Sequence, residues 1–221
     1  MEAAEIISGV YHLNFPTQQV LASTFLRFQE HYESPQFRDK IFSLDEFRKW
    51  YIANSENGKK TGKFTYYEDW TGFNIPSYVL APFYQGLFDP LSEPEKSFLK
   101  IFADKKETKF YVIGTFGDCR AAESALEHEI AHGLFYIDEG YKLKVLRILA
   151  AVKPEDKARI RTHFMDGGGY DEKVIEDEMH AHLATEPEYF TGRSLMIDDL
   201  PKVHRQLRKI FDAYFDKHTK K

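Results

Sequence analysis

One cysteine, Cys119, stands in a chain of 221 residues, so no internal disulfide can brace the fold. Stability has to come from packing or from a bound ion. No stretch approaches the roughly 18 consecutive apolar residues of a spanning helix, so no membrane span is expected. Positive charge is not in surplus: 30 Lys and Arg face 35 Asp and Glu, for a formal charge of -5. The only basic cluster, Lys217, Lys220 and Lys221, reads as a solvated end, which argues against a nucleic-acid partner. Residues 1–15 lack the basic start and apolar core of a secretory signal, and a cytoplasmic location is expected on that ground. Internal repeats and low-complexity linkers are also missing.

What is present suits a folded domain. Hydrophobic residues make up 43% of the chain, enough for a core, and 19 Phe with 13 Tyr predict that aromatic clusters fill it. Helical spacing and capping residues predict helices over about 18–32 behind Thr17, and from Ser43 and Ser92, each followed three positions on by a glutamate, Glu46 and Glu95. Alternation predicts strands at Lys63–Tyr67 and Lys109–Phe116. Asp118 is the expected cap of a helix over about 119–137, and Gly140 the break before the next one. Further helices are expected from Pro154, over 171–184 and from Leu200. The expected fold is α+β, helix-dominated, with a small sheet preceding the helix over about 119–137. One domain over 1–221 is the economical organisation, with a helical part over 1–104 and a second part over 105–221 that holds the residues considered next.

The chemistry concentrates in His128-Glu129-Ile130-Ala131-His132. Two histidines four apart on a helix stack on one face and can share one ion, while the intervening glutamate can reach a water bound there. A third ligand is expected from the helix over 171–184. There Glu178 and His182 fall within the arc of Val174, Ile175, Met179 and Leu183, whereas Glu176, Asp177 and His180 are expected to point outward. A carboxylate on an apolar arc calls for coordination or a buried ion pair, and Glu178 is the expected third ligand. His182 is expected to hydrogen-bond a ligand or steady a transition-state oxygen. Tyr170, after Gly167, Gly168 and Gly169, is a second candidate for the oxygen, with Tyr136 and His163 behind it.

These residues resemble the zincin metallopeptidases, and among them the gluzincins, whose signature is HExxH on one helix and a glutamate on a later one. The matching positions are His128, Glu129, His132 and Glu178, within about residues 109–184. The position four beyond Glu178 holds His182, where the family commonly has an aspartate that orients the first metal histidine. The resemblance implies a zinc cofactor, a peptide or protein substrate and an edge strand that pairs with it, which would be Lys109–Phe116. A third histidine soon after His132-Gly133 is missing, which disfavours the metzincin branch.

The expected activity is zinc-dependent hydrolysis of a peptide or other amide bond, with Glu129 activating a metal-bound water. Two alternatives use the same residues. Two histidines and a carboxylate can hold non-haem iron, although Glu129 has no required task in that chemistry. If a fourth protein side chain closes the coordination sphere, the site is structural and the chain a non-catalytic, protein-binding module.

Overall fold

Thr17, Ser43, Ser55 and Ser92 each sit in extended backbone just ahead of a helix, and each hydroxyl accepts from a first-turn amide. That satisfies donors the helix itself cannot pair. At Ser92 the exchange is reciprocal, because Glu95 returns to the Ser92 amide at 2.7 Å. The structure, a computed structural model, describes residues 3–117, 123–167, 172–192, 195 and 198–219.

In chain order the hairpin strands β1 (Ala4–Ile7) and β2 (Val10–Phe15) come first. They lead into α1 (Gln18–Glu33), α2 (Leu44–Asn54), α3 (Glu56–Thr61) and α4 (Tyr66–Asp69). Strand β3 (Phe73–Pro76), α5 (Ala81–Tyr84), α6 (Glu93–Ile101) and β4 (Tyr111–Phe116) follow. The remainder is helical: α7 (Glu123–Ile137), α8 (Glu139–Ala150), α9 (Pro154–Thr162), α10 (Ile175–Thr185), α11 (Glu188–Gly192) and α12 (Leu200–Thr219). The architecture is α+β and dominated by helix, as the sequence predicts.

Two compact units divide the chain: Met1–Ala4 with Tyr11–Cys119, and Glu5–Val10 with Arg120–Lys221. The first is organised around α1. Phe25 meets Phe15, Phe73 and Phe98 at ring separations of 5.9, 5.5 and 5.1 Å, which is the aromatic core that the composition implies. A side chain at Gly114 would run into Leu21 and Phe25, so glycine there lets α1 lie directly on β4. Arg27, on the same helix, is buried yet fully engaged. It meets both Glu95 oxygens at 2.7 and 2.6 Å and donates to the carbonyls of Phe88 and Pro90.

Three expectations need correction here. Strand order is β1-β2-β4-β3, so β4 is an interior strand and not the free edge that a substrate strand would need. Its flank is taken by β3, antiparallel, with Phe73 opposite Gly114 and Pro76 opposite Tyr111. Second, the predicted strand Lys63–Tyr67 is instead irregular backbone running into α4, whose Tyr66 ring is buried among Phe47, Tyr51 and Phe73. Packing of one large ring overrides a two-residue alternation. Third, Gly140 does not break the chain but lies in the first turn of α8, capped by Asp138, which accepts from the Tyr141 amide at 3.0 Å. The expected cap Asp118 lies outside the described residues, as does Cys119.

In the second unit α10 is the central helix and packs against α7, α8 and α12. From Glu178 to Ala184 every one of its residues is buried. Its surroundings are pinned by polar bonds: His204 to the Leu183 carbonyl, Arg208 to Glu127, and both Lys217 and His218 to Asp138.

Candidate metal centre

Helix α7 is amphipathic only in a narrow sense: Ile130, Ala131, Leu134 and Phe135 are buried, and so is His132. Four residues of helical rise set His128 above His132, and their Nε2 atoms face each other 3.1 Å apart. From α10, Glu178 reaches the same point, with Oε1 3.8 Å from His132 Nε2 and Oε2 3.9 Å from His128 Nε2. The expected triad therefore converges. Two nitrogens and a carboxylate at these spacings suit a small divalent ion. Bonds of about 2.0–2.2 Å in a tetrahedron set donors roughly 3.3 Å apart, so the carboxylate has to close by about half an ångström.

The His132 ring is fixed from behind. Asp177 Oδ1 lies 2.9 Å from its Nδ1 and 3.3 Å from His180 Nδ1. His180 Nδ1 also meets the Asp177 carbonyl at 3.0 Å, while its Nε2 meets the Tyr141 hydroxyl at 2.9 Å. Phe135 stacks on the His180 ring at 5.1 Å. The expectation that Asp177 and His180 face outward is thus overturned: His180 has no exposed surface and Asp177 is the partner of a candidate ligand. The helical-wheel argument assumes one wet face along the whole helix, and from Glu178 to Ala184 α10 has none, although Glu176 is exposed as expected.

Charge follows the geometry. Burial disfavours the imidazolium of His132, but Asp177, Glu178 and Glu129 outweigh it and hold its pKa well above the usual value. Burial first, and then the neighbouring histidines 132, 182 and 180, hold His128 well below it. Asp177 itself, despite burial, is drawn down to about 2 by His132 and His180. Burial also lowers His180.

His182 comes to the same place, with its ring 4.4 Å from that of His128. Donor atoms of His128, Glu178 and His182 lie within 4.8 Å of one another. Its Nδ1 pairs with Glu186 Oε2 at 3.1 Å, the oxygen that also stands 3.8 Å from His128 Nδ1. Tyr189 stacks on His182 at 3.9 Å and directs its hydroxyl to His163 Nε2 at 3.2 Å. Phe164 stacks on His182 as well. Tyr170 lies outside the described residues.

Comparison with protein families, curated proteins and solved structures finds no match to this chain. The site therefore stands on its own geometry. Sequence reasoning missed Asp177, Glu186 and Tyr189. Only Glu186 carried a usable signal, four residues beyond His182 and so on the same helical face.

Proposed function

We propose that the chain is a zinc-dependent hydrolase of peptide or other amide bonds, with His128, His132 and Glu178 as ligands and Glu129 as general base. One observation carries the reading: two imidazole nitrogens 3.1 Å apart share a carboxylate at 3.8 and 3.9 Å, all in a half-buried to buried setting. Lone pairs brought that close need a cation or a proton between them. When bound, zinc supplies a Lewis acid that polarises a carbonyl and lowers the pKa of a water toward neutrality.

The remaining steps belong to the chain. Asp177 accepts from His132 Nδ1, so the neutral ring turns a lone pair on Nε2 toward the ion. Glu129, next to His128 on α7, takes the proton of the attacking water and passes it to the leaving nitrogen as the C–N bond breaks. His182, with Nδ1 committed to Glu186, lines the site from α10 and donates to the developing oxyanion only in its doubly protonated form.

That same hydrogen bond favours a second reading. A neutral His182 offers an Nε2 lone pair and could serve as the fourth protein ligand, which closes the sphere and makes the site structural. Zinc analysis of wild type, Glu129→Gln, Glu178→Ala and His182→Ala, alongside cleavage of a peptide library, separates the two. For the hydrolase, Glu129→Gln keeps zinc and loses roughly 100-fold or more in rate. Glu178→Ala loses zinc and activity together, and His182→Ala keeps zinc. Loss of zinc from His182→Ala, with no cleavage by wild type, establishes the closed site instead.

A further inference from the structure

Behind the triad lies a line of three hydrogen bonds, of which the reading above uses only the last, from His132 to Asp177. Its members come from three helices: Tyr141 on α8, His180 and Asp177 on α10, and His132 on α7. Directions along it are fixed by chemistry. His180 Nδ1 faces two acceptors, the Asp177 carbonyl at 3.0 Å and the Asp177 carboxylate at 3.3 Å, so it must donate. The neutral ring then has a bare Nε2, which accepts from the Tyr141 hydroxyl at 2.9 Å. Asp177 Oδ1 takes a second hydrogen bond from His132 Nδ1 at 2.9 Å.

We propose that Tyr141 and His180 are positioning residues for the metal, acting through Asp177 to hold His132 in the tautomer and orientation that present Nε2 to the ion. The inference rests on the zinc reading above. A carboxylate with one partner can turn about its last bond and lose its aim. A second hydrogen bond to the same oxygen removes that freedom. His180 can hold Asp177 because it is itself clamped, by the Tyr141 hydroxyl at one nitrogen, a backbone carbonyl at the other and the Phe135 ring across its face. Tyr141 and His180 are both fully buried, so water cannot take over either role. The two imidazoles of the triad are therefore unequally held. His128 Nδ1 has Glu186 only at 3.8 Å, beyond hydrogen-bond range.

The test is the zinc dissociation constant, measured by competition with a chelator, with the visible spectrum of the Co²⁺-loaded protein as a second readout. Wild type is compared with Tyr141→Phe, His180→Leu and His180→Asn, all at a temperature where the metal-free proteins are folded. An asparagine amide nitrogen can take the place of the ring Nδ1 and keep the bond to Asp177. His180→Leu should weaken zinc roughly tenfold or more and alter the Co²⁺ spectrum, whereas His180→Asn, which keeps the bond to Asp177 and loses only the one from Tyr141, should weaken it no more than Tyr141→Phe does. Tyr141→Phe should weaken zinc roughly threefold to tenfold. It carries the test by itself if His180→Leu fails to fold. Dissociation constants unchanged in Tyr141→Phe and His180→Leu, with melting temperatures lowered, would mean packing alone and overturn the inference while leaving the zinc reading intact. A wild-type chain that binds no zinc overturns both.

Discussion

Asp177 Oδ1 stands 2.9 Å from His132 Nδ1, and this pairing joins the two helices at the candidate centre more firmly than any other polar contact between α7 and α10 described above. The comparable pairing on the other imidazole, Glu186 with His128, is open at 3.8 Å. One candidate ligand is thus held by a hydrogen bond at its outer nitrogen and the other is not.

That inequality makes a prediction. Asp177→Asn removes the charge behind His132 and should weaken zinc binding by roughly 10–100-fold, the usual cost of losing such a partner. Glu186→Gln should weaken it less than about threefold, since no hydrogen bond to a ligand is lost. Equal losses in the two variants would contradict the assignment of roles.

How much of this could be read from the chain depended on whether the geometry was local. His128 and His132 are four apart on one helix, so their convergence follows from helical rise alone. Glu178 was legible because a carboxylate interrupts an apolar arc. Asp177 and His180 were not, because their reading needed to know that α10 is enclosed by α7, α8 and α12. In the first unit Ser92 and Glu95 formed the capping box their spacing implies. Strand β3 escaped notice for a physical reason: it is four residues long, ends in a proline at the sheet's edge and exists through its register with β4.

Metal removal has a thermodynamic consequence. Zinc at about 100 times its dissociation constant should add about 2.7 kcal/mol to the folded state, if the unfolded chain does not bind it. For a chain of this size that is a rise in Tm of roughly 5–10 °C, reversed by EDTA. Calorimetry of the Glu178→Ala protein should show no such response. A zinc-dependent rise of the same size in that variant would place the ion elsewhere.

Arg27 and Glu95 are both buried, with 5% and 4% of their side chains exposed, so removing one leaves a charge stranded. Arg27→Met should cost roughly 3–5 kcal/mol in urea unfolding. The double variant Arg27→Met/Glu95→Leu should recover most of that loss. A residue of about 1 kcal/mol should remain, because Glu95 also caps α6. Failure of the double variant to recover would mean that the carbonyls of Phe88 and Pro90, left without their donor, dominate the cost.

Glu30 sets a pH dependence in the first unit. Burial, opposed by hydrogen bonds from Tyr66 and Ser34, raises its pKa from 4.5 to about 7. The folded chain then holds a proton that the unfolded chain has already released between these two values. Stability must fall as pH rises through that window, and the loss is complete above about pH 7. Its upper limit is about 3 kcal/mol, reduced by the partial exposure of the side chain. Glu30→Gln keeps the shape without the charge. Its advantage over wild type should be near zero at pH 4 and grow through pH 5, 6 and 7 to a plateau at pH 8, as read from urea midpoints. Parallel pH profiles for the two proteins would show that Glu30 ionises in the fold as freely as in the unfolded chain.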